Sequence, residues 1–324
     1  MFGLCLHWVL FLIPKVKEVS IMAFTRQDLK KLLGPDERLE NVSGEFLNRE
    51  DHGTFVVERY QLHLNKLESV PALRAYSKTV SGKRPIVIYL HSHGGNFPLG
   101  KSEMINGTDY LQNPSFAKVI TDMGADAWAI DAWGFEDRAG SHGVKESELF
   151  KEFLLEGQTL WGMRLFDQQS LIDYLSTRPE VNMDKIATIG MSMGGMESWW
   201  LAALEPRVKV VVDISGQTDL SVLKKYRLLD KHNFYLYVPG MLKYTSTLEI
   251  QQLIAPRPRL SMVGNRDLLC FYPGPEALNP ALSKYYAEQG HPDNFIGKIM
   301  TGGHQETQEM RACWTRFLKQ QLFN

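Results

Sequence analysis

The stretch that most constrains this chain runs from Lys185 to Ala203, KIATIGMSMGGMESWWLAA. A short apolar run with β-propensity, Ile186 to Ile189, enters it, and an apolar, Trp-rich pattern with helical spacing leaves it. Between them, Gly190-Met191-Ser192-Met193-Gly194 predicts a tight strand-to-helix turn with Ser192 at its apex. Backbone segments approach closely at such a turn, so side chains at positions 190 and 194 would collide with the neighbouring strand and helix. The serine hydroxyl is then held where a base can reach it. As an isolated pattern, the same five residues also describe a glycine-rich turn whose serine only caps the next helix. The chemical reading therefore requires an oxyanion donor upstream, then an acid and a histidine downstream, in that order.

Length and charge narrow the classes. The chain has 324 residues, 44% of them hydrophobic, enough to bury one large α/β core. Its 36 basic and 37 acidic residues nearly cancel, and no basic block could track a phosphate backbone, so nucleic acid is not an expected partner. Cys5, Cys270 and Cys313 show neither a CxxC nor a metal-like spacing, which argues against a disulfide framework and suits a cytoplasmic protein.

Residues 1–21 need separate treatment. Met1 to Ile13 is strongly apolar, but too short to span a bilayer and without basic residues ahead of it or a small-x-small cleavage site after it. A second methionine, Met22, opens an ordinary start in which Thr25 caps an amphipathic helix. Residues 1–21 are expected to be an overextended start or an appendage, and residues 22–324 a single domain.

Along the rest of the chain, Gly53 to Leu64 and Val70 to Tyr76 alternate polar and apolar residues and predict an antiparallel pair at a sheet edge. Pro85–Leu90 and Val208–Ile214 predict buried strands, and Ala125–Ile130, Ile186–Ile189, Pro258–Val263 and Phe295–Met300 predict further strands, with helices over Ser115–Met123, Gly157–Ser176, Glu276–Gln289 and Thr307–Leu322. Strands that alternate with helices of this length imply βαβ crossovers and a mostly parallel sheet. The alternation breaks at Ala139–Phe153 and again at Ser215–Thr247. The second break, where Tyr226, Phe234, Tyr235, Tyr237, Met241 and Tyr244 gather, is either a lid over the carboxyl edge of the sheet or core aromatics under a helical excursion.

The required parts are present in order. His91-Ser92-His93-Gly94-Gly95-Asn96 follows a buried strand, and there the backbone N–H of Gly95, paired with that of Met193, could receive a developing oxyanion. His91 and His93 are expected to hold this turn by hydrogen bonds, because a zinc site would need further ligands and none stands out. No metal or cofactor is expected. Asp267, in the loop after Pro258–Val263, is the expected acid, with Asp213 as the alternative. His304, after Gly302-Gly303, is the expected base. Trp133, Tyr237 and Met241 are candidate walls of the substrate pocket.

With these parts assembled, the chain resembles the α/β-hydrolase superfamily from about residue 50 onward, and within it the dienelactone-hydrolase-like and acetyl-xylan-esterase-like branch. The resemblance is carried by LHSHGGN, by RPEVNMDKIATIGMSMGG leading into AALEPRVKVVV, by YVPGML, by IAPRPRLSMVGNRD and by GGH. It implies an eight-stranded sheet with one antiparallel strand and helices on both faces. It also implies a Ser-His-Asp triad and cofactor-free hydrolysis of small-molecule or carbohydrate esters. Dienelactone hydrolase itself carries a cysteine nucleophile, whereas the position here is Ser192. The competing readings are a prolyl-oligopeptidase-like serine peptidase and a non-catalytic binding protein on the same fold.

Overall fold

The structure is a computed structural model that describes residues 23–139 and 145–324. The expectation for residues 1–21 lies outside the described residues, as does part of the excursion at Ala139–Phe153. Thr25 begins the first helix, Arg26–Leu33, and a capping box explains why: the Thr25 side chain accepts from the Asp28 N–H while the Asp28 carboxylate accepts from Thr25.

The strands are β1 (Arg38–Asp51), β2 (Phe55–Asn65), β3 (Val70–Ser77), β4 (Arg84–Leu90), β5 (Asp126–Ile130), β6 (Val181–Met191), β7 (Val210–Ile214), β8 (Arg259–Gly264) and β9 (Phe295–Met300). They form one nine-stranded sheet in the order β1-β2-β3-β5-β4-β6-β7-β8-β9. β1 to β3 and the β3–β5 pairing are antiparallel, and every pairing from β5 through β4 to β9 is parallel. The sheet thus has one strand more than the eight expected, and its antiparallel part is a three-stranded ribbon. The extra strand is β1. Its side chains are half-buried or exposed along its whole length, so it carries no alternating apolar pattern to betray it. It is held by backbone pairing to β2, from Ser43 opposite His63 to Asp51 opposite Val56, and by an edge-to-face contact of Phe46 with Tyr60.

The central strands are apolar on both faces because both faces are covered. Ile86 and Ile88 of β4 face one core layer with Trp128, Trp161, Trp199 and Trp200. Val87 and Tyr89 face the other, with Phe116, Trp314 and Met310. Register then aligns the carboxyl ends: Leu90 sits opposite Gly190, Met191 opposite Ile214, Ile214 opposite Met262, and Gly264 opposite Met300. The loops that follow β4, β6, β8 and β9 therefore meet along one rim.

The excursion after β7 divides between two environments. Tyr235, Leu236, Val238 and Met241 join the main core, while Tyr226, Phe234 and Tyr244 are exposed.

Candidate active site

The turn after β6 is as tight as its glycines require. Ser192 adopts φ 60° and ψ −119°, a strained region for a residue with a side chain. A Cβ on Gly190 would lie 2.4 Å from the Leu90 carbonyl oxygen, and one on Gly194 only 1.9 Å from the same atom. Neither position can carry a side chain. The Ser192 N–H donates to the Ile214 carbonyl at 2.9 Å, and the helix Met193–Leu204 starts immediately afterwards. The N–H of Met193, in the first turn, has no intrahelical acceptor.

Two further loops converge on this turn, and they are stitched to each other. Asn265 N–H donates to the Met300 carbonyl at 2.7 Å and Arg266 N–H to the Gly302 carbonyl at 2.9 Å, while the Asn265 side chain accepts from the Gly302 N–H at 3.2 Å. Gly264 allows this approach, since a Cβ there would lie 2.4 Å from the Gly303 carbonyl oxygen. Asp267 and His304 are 37 residues apart in sequence, yet Asp267 Oδ2 accepts from His304 Nδ1 at 2.8 Å. His304 Nε2 lies 2.7 Å from Ser192 Oγ. With Nδ1–H committed to the carboxylate, Nε2 is the ring atom left to accept the serine proton.

Asp267 is buried, and its other oxygen, Oδ1, accepts from the N–H groups of Leu269 at 2.8 Å and Cys270 at 2.9 Å. Burial alone would raise its pKa, but the bond to His304 and these backbone N–H groups outweigh it and hold the carboxyl below its ordinary value. Asp213, the alternative acid, is engaged elsewhere: Arg259 Nε donates to it at 2.9 Å and Ser261 Oγ at 2.6 Å, all inside the sheet.

The loop after β4 contributes differently from expectation. His91 bonds the Ser92 carbonyl through Nδ1 at 2.9 Å and accepts from the Ala132 N–H through Nε2 at 3.1 Å; burial pushes its pKa down to about 4. His93 bonds Glu146 through Nε2 at 2.8 Å, and its Nδ1 accepts from the Gly95 N–H at 3.1 Å. Both histidines hold the turn. The Gly95 N–H, expected to face an oxyanion, is therefore occupied by its own loop, because two successive glycines at positive φ fold the backbone back onto the His93 ring.

Among the described residues, two groups of side chains have the composition of a cation site. Asp131, Glu136 and Asp137 surround a cation already, the Lys101 ammonium, at 2.8, 2.9 and 2.6 Å. Asp267, Cys270 and His304 form the other, but there the carboxylate is fully bonded and the Cys270 thiol donates to the Ser215 carbonyl at 2.8 Å. Burial raises that thiol well above its ordinary value, so it is a poor thiolate ligand.

A cleft of about 300 Å³ opens on Ser192 and His304. Its walls come from the β4 loop (Ser92 to Gly95), from Tyr110, from Leu269, and from Lys231, His232, Asn233 and Tyr235 of the excursion. The three expected wall residues are not among them. Trp133 is buried beneath the Arg138 guanidinium, 4.1 Å from its ring, and against Phe153. Tyr237 donates its hydroxyl to the Leu229 carbonyl, and with Met241 it borders a separate groove. Aromatic character marked the excursion correctly but not the faces of its residues. Nothing in the sequence distinguished His232, Asn233 or Tyr110, since a lone polar residue in an irregular segment has no periodicity to orient it.

A mostly parallel sheet with a strained serine at the β6 turn and a histidine–carboxylate pair from the loops after β9 and β8 defines an α/β-hydrolase. The chain is 46% identical over 299 residues to the Bacillus subtilis (strain 168) protein named "Putative hydrolase YtaP", covering 92% of this chain and 98% of that one. The pattern of the Dienelactone hydrolase family matches residues 153–231. The chain belongs to the family of the Bacillus subtilis hydrolase. Solved structures of similar fold include the methylesterase BT1017 (TM-score 0.66, 16% identity, 91% of this chain and 60% of that one). The glucuronoyl esterase from Solibacter usitatus (TM-score 0.65, 13% identity) covers 91% of this chain and 92% of its own. Acetyl xylan esterase 1 from Thermoanaerobacterium sp. JW/SL YS485 (TM-score 0.58, 18% identity) covers 93% and 100%.

Proposed function

We propose that the protein is a serine esterase that cleaves short-chain acyl or acetyl esters through an acyl-serine intermediate. The observation that carries this reading is the unbroken series Ser192 Oγ, His304 Nε2, His304 Nδ1, Asp267 Oδ2, with its two hydrogen bonds at 2.7 and 2.8 Å. His304 takes the Ser192 proton as Oγ forms a bond to the acyl carbon, and Asp267 stabilises the resulting imidazolium. The tetrahedral oxyanion is received by the Met193 N–H and by the turn at Gly94–Gly95, a contribution of roughly 3 kcal/mol per donor. For Gly95 to take part, its N–H must leave His93. The carbon–oxygen bond to the alcohol then breaks, and the proton on His304 goes to the departing alkoxide. Water attacks the acyl-serine, passes a proton to His304, and the acid leaves as that proton returns to Ser192.

The small cleft favours a short acyl group, and of the structural neighbours the acetyl xylan esterase is named for such a group, while the methylesterase and the glucuronoyl esterase support ester cleavage in general. Ser192→Ala should lower p-nitrophenyl acetate turnover on the order of a thousandfold or more while leaving the thermal unfolding curve near that of the wild type. Turnover retained in a folded Ser192→Ala protein would remove Ser192 from this role.

A further inference from the structure

The excursion after β7 meets the acid loop at the Cys270 thiol, which bonds Ser215 and Thr218, and at one backbone carbonyl, that of Leu269. His232 Nε2 lies 2.9 Å from the Leu269 carbonyl oxygen, and because a carbonyl only accepts, Nε2 carries the proton. Burial lowers the His232 pKa below its ordinary value, which keeps the ring neutral. Among the described residues His232 is the one protein donor bonded to that carbonyl.

The Leu269 carbonyl and the Cys270 N–H are opposite ends of the same planar peptide group. That N–H donates to Asp267 Oδ1 at 2.9 Å, beside the Leu269 N–H at 2.8 Å. A donor placed on the oxygen of a peptide polarises its N–H and strengthens the next bond in the chain. The bonds therefore run without a gap from His232 through one peptide to Asp267, then to His304 and Ser192. Leu268 is exposed at the apex of this segment, whereas the Cys270 side chain is buried and bonded to Ser215 and Thr218, so Cys270 anchors one end of the peptide and His232 holds its carbonyl at the other.

We propose that His232 is a positioning residue: by holding the Leu269–Cys270 peptide it sets the orientation of Asp267, and through it the imidazole of His304. The inference rests on the proposed roles of Ser192, Asp267 and His304. It assigns the excursion a part in aligning the reacting groups as well as in walling the cleft.

The test compares His232→Phe, which keeps ring volume but has no donor, with His232→Gln, which keeps an N–H at similar reach. The readouts are the rate of Ser192 labelling by a fluorophosphonate and kcat and KM on p-nitrophenyl acetate, with folding followed by circular dichroism. His232→Phe should label and turn over about tenfold to a hundredfold more slowly, the range seen when the partner that orients a reacting group is lost, with KM within about threefold. His232→Gln should recover most of the loss. Equal impairment of both variants, unchanged labelling in His232→Phe, or an effect confined to KM would overturn the proposal. If Phe disturbs folding, His232→Asn, whose amide is too short to reach Leu269, takes its place against Gln. A wild-type protein that labels rapidly but hydrolyses no ester would count against the esterase reading alone, because labelling still reports how well His304 activates the serine.

Discussion

Two aspartates lie near the carboxyl ends of neighbouring strands, and they have opposite characters. Asp213 is within β7, opposite Gly190 and Ser261 in register, and its side chain is enclosed by Arg259 and Ser261. Asp267 lies three residues beyond the end of β8, where the chain has left the sheet. Both are buried. Burial pushes the Asp213 carboxyl up against the pull of Arg259, whereas at Asp267 His304 and two backbone N–H groups overcome burial and push it down. The difference teaches that burial does not mark a working acid. What matters is whether one oxygen is fixed by backbone while the other is directed at a histidine on the cleft.

This contrast can be broken by substitution, and the largest effect is expected at Asp267. Asp267→Asn should lower kcat/KM on the order of a thousandfold or more, since the imidazole loses both its tautomer and its charge partner. Its stability effect has a defined pH window. Because the folded pKa is lowered, the stabilisation is present above the unfolded carboxylate value of about 4 and disappears as pH falls through the folded value. Denaturant midpoints of wild type and variant should therefore differ at pH 7 and converge in acid.

Asp213→Asn should show the reverse profile. Leaving the Arg259 guanidinium buried without its charge partner costs roughly 3 kcal/mol, read as a lower denaturant midpoint. Activity per folded molecule should stay within about threefold. A collapse in activity with normal stability would place the acid at Asp213 after all.

The smallest effect sharpens the role of burial itself. Glu197 lies fully buried in the helix that follows Ser192, and burial pushes it up to about 7. The native state thus holds a proton that the unfolded chain releases near pH 4, so stability declines as pH rises from about 4 to about 7. Glu197→Gln should be more stable than wild type by about 2 kcal/mol at pH 8 and by little at pH 4. Parallel stability curves for the two proteins would show that Glu197 is ionised at neutral pH in the fold.

The sequence was most legible where burial is two-sided or where backbone approaches backbone. Apolar runs such as Pro85–Leu90 and Val208–Ile214 have strands at β4 and β7, buried along their length, and Gly190 and Gly194 stand where a Cβ would strike the Leu90 carbonyl. It was least legible where side-chain patterning has no job. β1 is mostly solvated, so pairing to β2 rather than a buried face makes it a strand, and the eight-stranded expectation fell short by that element. The walls of the cleft failed for a related reason. Trp133, Tyr237 and Met241 are apolar enough to line a pocket, but the core took Trp133, and Tyr237 and Met241 turn to a separate groove.

The sequence by itself determined the order of the strands and helices from β2 onward that carry the site, the sharp turn at Ser192, and the presence of an acid and a histidine beyond it, because local periodicity and steric exclusion are written in neighbouring residues. Only the tertiary structure decided which aspartate meets His304, that the Gly95 N–H is held by His93, and that the excursion grips the acid loop through His232. Each of these depends on the direction of a hydrogen bond between segments brought together by sheet register, and direction in space is not encoded in spacing along the chain.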